Sequence, residues 1–317
     1  ASLAVSALLA RLLSPQEMSA YFLILSLVSF AAIFAQFGLT QTIVRVVAES
    51  MATERDGRAR QAVILALRIT AFSGLSVACM LAFGAGQWIS LHFFDSEMMS
   101  QVMGLAAAWV VIVVFQSLMA EVYRGFHDIR LATIFGGLTT SVLSMLLFLV
   151  LWLVKGGSNL DQVIVLTLGA GASSVLLSSV ILWNRLARLS SKESVGNIRV
   201  KEVVAVSWPL WITSLTYFFL QNADLWVMGG WRTAEEVAIY GAAARTVALI
   251  AVPLLIMNSV ISPIIAEMYA LERPKELEKL LRRIATIAGL PAMVTLAMFV
   301  LYGDFMLKLL FGGYYQA

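Results

Sequence analysis

The chain has 317 residues, 60% of them apolar and 13% charged, with a mean hydropathy of +0.88. A soluble globular domain carries roughly 25% charged residues, so this composition excludes an ordinary soluble fold and describes a polytopic membrane protein. The net charge of +3 makes no case for nucleic acid, because the basic residues fall in short loops between apolar runs.

Nine apolar segments follow one another. They are Ala1–Leu13, Met18–Ile43, Gln61–Ala85, Gln101–Tyr123, Arg130–Val154, Asp161–Asn184, Val203–Gly229, Val237–Ala266 and Ile284–Leu310. Lipid cannot satisfy an open backbone, so each spanning segment is predicted to be helical. Ala1–Leu13 is apolar but has neither the basic start nor the cleavage site of a secretory leader. Segments 2 and 8 open alike: Ser14 precedes Glu17 by three residues, and Thr233 precedes Glu236 by three, which is a capping-box spacing. Cys79 is the single cysteine, so an intrachain disulfide is excluded, and its place within segment 3 reads as core packing. His92 and His127 lie in separate loops, and no metal site is expected.

Loop charge sets the orientation. Loops after segments 2, 4, 6 and 8 hold 16 of the 22 basic residues, among them Arg55, Arg124, Arg188 and Lys279, whereas the opposite side holds Lys155 and Arg232 with Arg11 near its edge. The positive-inside bias places the first set in the cytoplasm, and with it a complete N-terminus. The longest polar stretch, Arg185 to Lys201, reads as a linker between two halves or as an ordinary cytoplasmic loop.

The halves repeat. An offset of 219 lays Ser14, Glu17 and Tyr21 on Thr233, Glu236 and Tyr240. Offsets of 218 and 217 lay Glu54 on Glu272 and Phe94 on Phe311. Six helices per repeat return the chain to the side it left, so the expected fold is all-α, with two parallel six-helix lobes about a pseudo-twofold axis along the membrane normal. The predicted division is an N-terminal lobe over 1–187 with its first segment truncated, a cytoplasmic linker over 188–201, and a C-terminal lobe over 202–317 with segments 7 to 9 only. A piece of a twelve-helix protein is the expectation.

The stretches ARLLSPQEMSAYFLI, YRGFHDIRLA and ADLWVMGGWRTAEEVAIYGAAAR…ISPIIAEMYA resemble the polysaccharide flippases of the multidrug/oligosaccharidyl-lipid/polysaccharide exporter superfamily. The resemblance covers nearly the whole chain on soft motifs of small, apolar and turn residues. It implies a bacterial inner-membrane, multi-pass transporter and no enzyme. Its substrate would be a polyprenyl-pyrophosphate-linked oligosaccharide of O-antigen type, turned from the cytoplasmic to the periplasmic leaflet by alternating access. It also implies contact with the polysaccharide polymerase machinery. The alternatives are an ion-coupled multidrug or cation exporter of the same superfamily, or a membrane-bound glycan enzyme, which would need a catalytic cluster on a substantial loop.

A charge within a span costs at least a few kcal/mol and needs a reason. Arg68 in segment 3 and Arg245 in segment 8 match a pyrophosphate through forked hydrogen bonds and are predicted to line a water-filled cavity between the lobes. Snorkelling to headgroups is the other reading of Arg68. Asn258 is the polar candidate beside them, and Gln36, Gln116 and Asn222 either face the same cavity or cross-link helices. Asp224 in segment 7 is an ion-pair partner for Arg245 or a proton- or sodium-coupling site; no other cofactor is implied. Glu121 reads as a helix-end charge. Pro209, Pro253, Pro263 and Pro291, with Gly136–Gly137, Gly169 and Gly171, are expected to bend the helices. Trp88, Phe93, Phe94, Trp208, Trp211, Trp226 and Trp231 read as interfacial belts, and nothing in the sequence selects Trp211 or Tyr217 for sugar. Glu272–Arg283 reads as an amphipathic lead-in on the membrane surface.

Overall fold

The computed structural model describes residues 2–53, 55–189, 200–251 and 274–311. Among these residues every regular element is helical. In chain order they are α1 (Ser2–Leu12), α2 (Pro15–Gln36), α3 (Leu39–Ala52), α4 (Asp56–Met80), α5 (Gly86–His92), α6 (Glu97–Gln101), α7 (Met103–Gly125), α8 (Ile129–Thr133), α9 (Thr139–Lys155), α10 (Leu160–Arg188), α11 (Val200–Trp231), α12 (Ala234–Val247) and α13 (Pro274–Phe311). Six stretches are long and apolar enough to cross a membrane: Pro15–Gln36, Asp56–His92, Met103–Gly125, Ile129–Lys155, Leu160–Arg188 and Glu276–Gly303. At 32 residues α11 is about 48 Å long, also enough to cross, but it is richer in polar groups than these six.

The chain forms two compact units, Ala1–Ala238 and Ile239–Ala317. In the first, α7 is the central post. It packs against α2, α3, α4 and α10, and its Val110, Val114, Leu118, Val122 and Tyr123 are fully buried. In the second, the 3-10 turn Ala248–Ala251 packs on α13. The predicted linker lies largely outside the described residues, as do Pro253 and Pro263.

Both capping boxes form. Glu17 Oε2 accepts from the Ser14 amide at 2.9 Å, and the Glu17 amide donates to Ser14 Oγ at 3.3 Å. Thr233 and Glu236 repeat the pattern at 3.1 and 3.3 Å. Glu17 does more than its copy. Its Oε1 accepts from the Leu160 amide at 3.2 Å, at the start of α10, where the N-cap Asn159 makes no side-chain capping bond. One carboxylate therefore closes the N-termini of two helices 143 residues apart.

The opposite end of the first unit is built from the YRGFHD run. The Tyr123 hydroxyl donates to the Ser178 carbonyl at 2.7 Å, tying α7 to α10. A Cβ on Gly125 would fall 2.8 Å from Val47 Cβ, so glycine here lets α3 and α7 meet. Arg185 bonds Asp128 at 3.1 Å and lies 4.6 Å over the Phe126 ring, while Asp128 caps α8 through the Leu131 amide at 3.2 Å. Glu121 pairs with Arg124, as a helix-end charge should.

Helix bends follow glycine more than proline. Gly137 (φ 133°) opens a π-type turn at Ile134–Leu138, and Gly84 does the same at Leu81–Ala85, which the sequence reading had passed over. The helices run on through Pro209 and Pro291 and through Gly169 and Gly171; at Gly171 the absent Cβ makes room for the Ile112 side chain. Two further expectations change. Cys79 is exposed on α4 rather than packed in a core. Of the Glu272–Arg283 run, Pro274–Arg283 forms the opening turns of α13. Segment 2 is broken, with α2 ending and α3 starting across Phe37 (φ 45°) and Gly38 (φ 72°).

Removing the Glu17 carboxylate should cost more than removing Glu236, because two helix starts lose a partner instead of one. Glu17→Ala is expected to destabilise the purified protein by about 1–2 kcal/mol more than Glu236→Ala. Thermal unfolding of the two variants in one detergent checks this, and equal midpoints would refute the double cap.

Candidate functional site

The break in segment 2 places an irregular backbone inside the bundle. Gln36 Nε2 donates to Ser117 Oγ at 2.6 Å, and Ser117 lies eight residues, about 12 Å, before the end of α7. Irregular backbone at that depth is tolerated only where protein supplies its hydrogen bonds. The Ser73 hydroxyl of α4 donates to the Ala35 carbonyl at 2.6 Å, replacing the bond that a continuous helix would make. The Phe37 amide still reaches the Ile33 carbonyl at 3.3 Å.

Helix α11 seals the break from the other side. Thr42 Oγ1 and Ser207 Oγ lie 2.8 Å apart, and both residues are buried. Phe37 packs on Trp208 and Trp211 with ring centroids 5.8 and 5.0 Å away, and Phe34 meets Trp211 edge-on at 5.2 Å. A Cβ on Gly38 would overlap the Ser207 carbonyl oxygen, so backbone touches backbone there. Further along the seam, Trp226 Nε1 donates to Ser26 Oγ at 2.6 Å, and that hydroxyl donates to Asn222 Oδ1 at 3.3 Å. Phe30 packs on Phe218, Phe219 and Trp226 at 5.1–5.7 Å between centroids. Trp211 and Trp226 thus belong to a helix seam rather than an interfacial belt.

The seam fixes the rotation of α11 and turns its other face outward. There Thr213, Tyr217, Gln221 and Asp224 follow one another at helical spacings of three and four residues, all exposed. Gln221 Nε2 donates to the Tyr217 hydroxyl oxygen at 3.0 Å. The outward face of α9 from Val142 to Val154 is by contrast apolar.

The predicted site residues that the structure describes lie on α4, α11 and α12. Arg68 is exposed on the outward face of α4, one turn from Phe72 and two from Leu75, an apolar setting that fits its snorkelling reading. Asp224 lies on α11 in the first unit and accepts from the Leu225 amide at 2.9 Å. Arg245 lies in the second unit, half-buried in the last turn of α12, where a cation complements the helix dipole. Asn258 is outside the described residues. Gln36, Gln116 and Asn222 are cross-links: Gln116 donates to Thr140 at 2.9 Å, and the other two bond as above. A small pocket of about 20 Å³ between α3 and α4 is lined by Leu39, Thr42, Ile43, Val46, Ala62, Leu65, Ala66 and Ile69; it offers no charge to an anion. Among the described residues, no group of three or more His, Cys, Asp or Glu side chains could hold a metal ion. The sequence reading named Tyr217 as able to stack on sugar but missed its partner Gln221, whose only signal was the four-residue spacing in a span poor in charge.

These helices share the architecture of known exporters. The fold is similar to a solved inward-facing structure of a multidrug resistance MATE family transporter of the MOP superfamily, with a TM-score of 0.76 and 18% identity over 98% of this chain and 71% of that one. The chain therefore shares the fold of that structure. Residues 1–269 match the polysaccharide biosynthesis protein family, and the chain belongs to it. No curated protein matches the sequence.

Gly38→Ala should disrupt the seam twice, by steric overlap with Ser207 and by forcing a Cβ into a left-handed conformation that alone costs roughly 1–2 kcal/mol. A fall in thermal midpoint of several degrees is expected, read by unfolding in detergent; an unchanged midpoint would refute the close contact.

Proposed function

We propose that this protein moves a polyprenyl-pyrophosphate-linked oligosaccharide from the cytoplasmic to the periplasmic leaflet of a bacterial inner membrane for cell-surface polysaccharide synthesis of O-antigen type. One observation carries the reading: a polysaccharide biosynthesis family member has the fold of a MOP-superfamily transporter. A transporter in glycan synthesis must carry something made on one side and used on the other, and a lipid-linked glycan meets that description. The cycle would be alternating access, and the polymerase machinery a natural neighbour on the receiving side.

Arg245 is the residue we assign to the pyrophosphate, with Asn258 as a neutral ligand near it in sequence. A guanidinium stays charged at any working pH and holds phosphate oxygens in a fork, whereas lysine offers only a point charge. Arg245→Glu is expected to lower surface polysaccharide at least tenfold with normal membrane insertion, and Arg245→Lys to recover part of it. Full export by the glutamate variant would sink the assignment. Arg68→Gln separates the two roles of that residue: a lost ligand lowers export, and a headgroup anchor leaves it unchanged.

The second reading is an ion-coupled multidrug or cation exporter, favoured by the name of the structural neighbour and by Asp224, a carboxylate well inside α11. In either case Asp224 is our candidate for taking up the driving proton or sodium ion. Export in membrane vesicles that ignores both gradients would remove it from that role.

A further inference from the structure

We infer that the outward stripe of α11, centred on Tyr217 and Gln221, is a carbohydrate subsite that contacts the sugar part of the cargo. This rests on the lipid-linked glycan reading above and adds to it a place and a chemistry for the sugar.

The orientation of the stripe is determined by the seam. Phe218, Asn222, Trp226 and Gly229 occupy one side of α11 against α2 and its neighbours, through the Ser26 node, the Phe30 rings, and the close approach of Leu23 and Phe94 to Gly229. Thr213, Tyr217, Gln221 and Asp224 centre on the other side, about 140° around the helix, where Leu220 and Val227 are exposed as well. Hydrocarbon facing the four polar groups would be costly. Water beside the stripe within the span removes that cost and is part of the proposal.

Its chemistry selects the ligand. The Tyr217 ring is 61% exposed, a flat apolar surface of the kind that the C–H face of a pyranose covers. The bond from Gln221 uses one amide N–H and one lone pair of the tyrosine oxygen. Among the described residues the tyrosine O–H, the second amide N–H and the amide carbonyl have no protein partner, which leaves two donors and an acceptor for sugar hydroxyls. No lysine or arginine occurs from Trp208 to Trp231, and the stripe ends in a carboxylate. A diphosphate gains nothing there, whereas a hydroxyl-rich neutral sugar finds a ring, an amide and an acceptor. Sugar and diphosphate would thus be held by different residues.

Two measurements test this on the full chain in nanodiscs. In a Cys79→Ala background, Thr213→Cys and Gln221→Cys should react with a membrane-impermeant maleimide and Leu149→Cys on α9 should not; an unreactive stripe overturns the proposal whatever the cargo. Binding is then compared for the lipid-linked oligosaccharide fraction of the source cells and for synthetic polyprenyl diphosphate. Tyr217→Ala and Gln221→Leu are expected to weaken the glycosylated lipid at least fivefold and to leave bare diphosphate binding within twofold, with Tyr217→Phe in between. Equal losses for both lipids, or none for either, would overturn the sugar subsite. Wild-type protein that binds neither lipid overturns the lipid-linked glycan reading itself.

Discussion

A backbone carbonyl inside a bilayer has no water to turn to, and the way this chain answers that demand at Phe37–Gly38 sets the rest of the first unit. Breaking segment 2 frees the Ala35 carbonyl, and Ser73 on α4 supplies the missing donor. Gln36 then anchors the break to α7, while Thr42 and Gly38 bring α11 into backbone contact. Five helices, α2, α3, α4, α7 and α11, are therefore held by the repair of one discontinuity. The aromatic packing of Phe30, Phe34 and Phe37 on α11 extends that contact along the seam and gives α11 the fixed rotation on which its polar face depends.

The spans were readable because hydrocarbon demands long apolar helices, and that demand acts on composition alone. Segments 4 and 6 agree with α7 and α10, and segment 5 with the run from α8 to the end of α9, within a few residues of their ends. The break at Phe37 was not readable, since Gln-Phe-Gly-Leu carries no proline and a single glycine in an apolar run is tolerated in most helices. Pro209 and Pro291 lie inside helices, and the non-helical residue of α13 is Tyr302 rather than a proline. What the sequence could not supply was rotation. Charge and spacing singled out Arg68, but the side of α4 that faces outward is decided by packing on α7 and α3, and that packing put Phe72 and Leu75 beside it.

The family-like motifs and the candidate chemistry separate cleanly. The YRGFHD run is architectural throughout: a tyrosine ties two helices, a glycine admits Val47, and an aspartate caps one helix while pairing with Arg185. The same holds for the two capping boxes. By contrast, the residues assigned to cargo depart from the repeat. Ser26 stands where the offset of 219 would put a match for Arg245, and it serves as the hydroxyl that Trp226 reaches. The same offset thus sets a joint in α2 against a charge in α12.

Glu17 carries an implication for how the chain is made. Its second partner, Leu160, leaves the ribosome 143 residues after it, roughly 7–30 s later at ordinary rates of synthesis. Until then the carboxylate serves α2 alone, and α10 begins without a cap of its own. Completion of α10 against Glu17 is thus a late, long-range closure that joins the first full span of the unit to its sixth segment, and it marks the moment at which the lobe ceases to be a row of inserted helices and becomes a closed bundle.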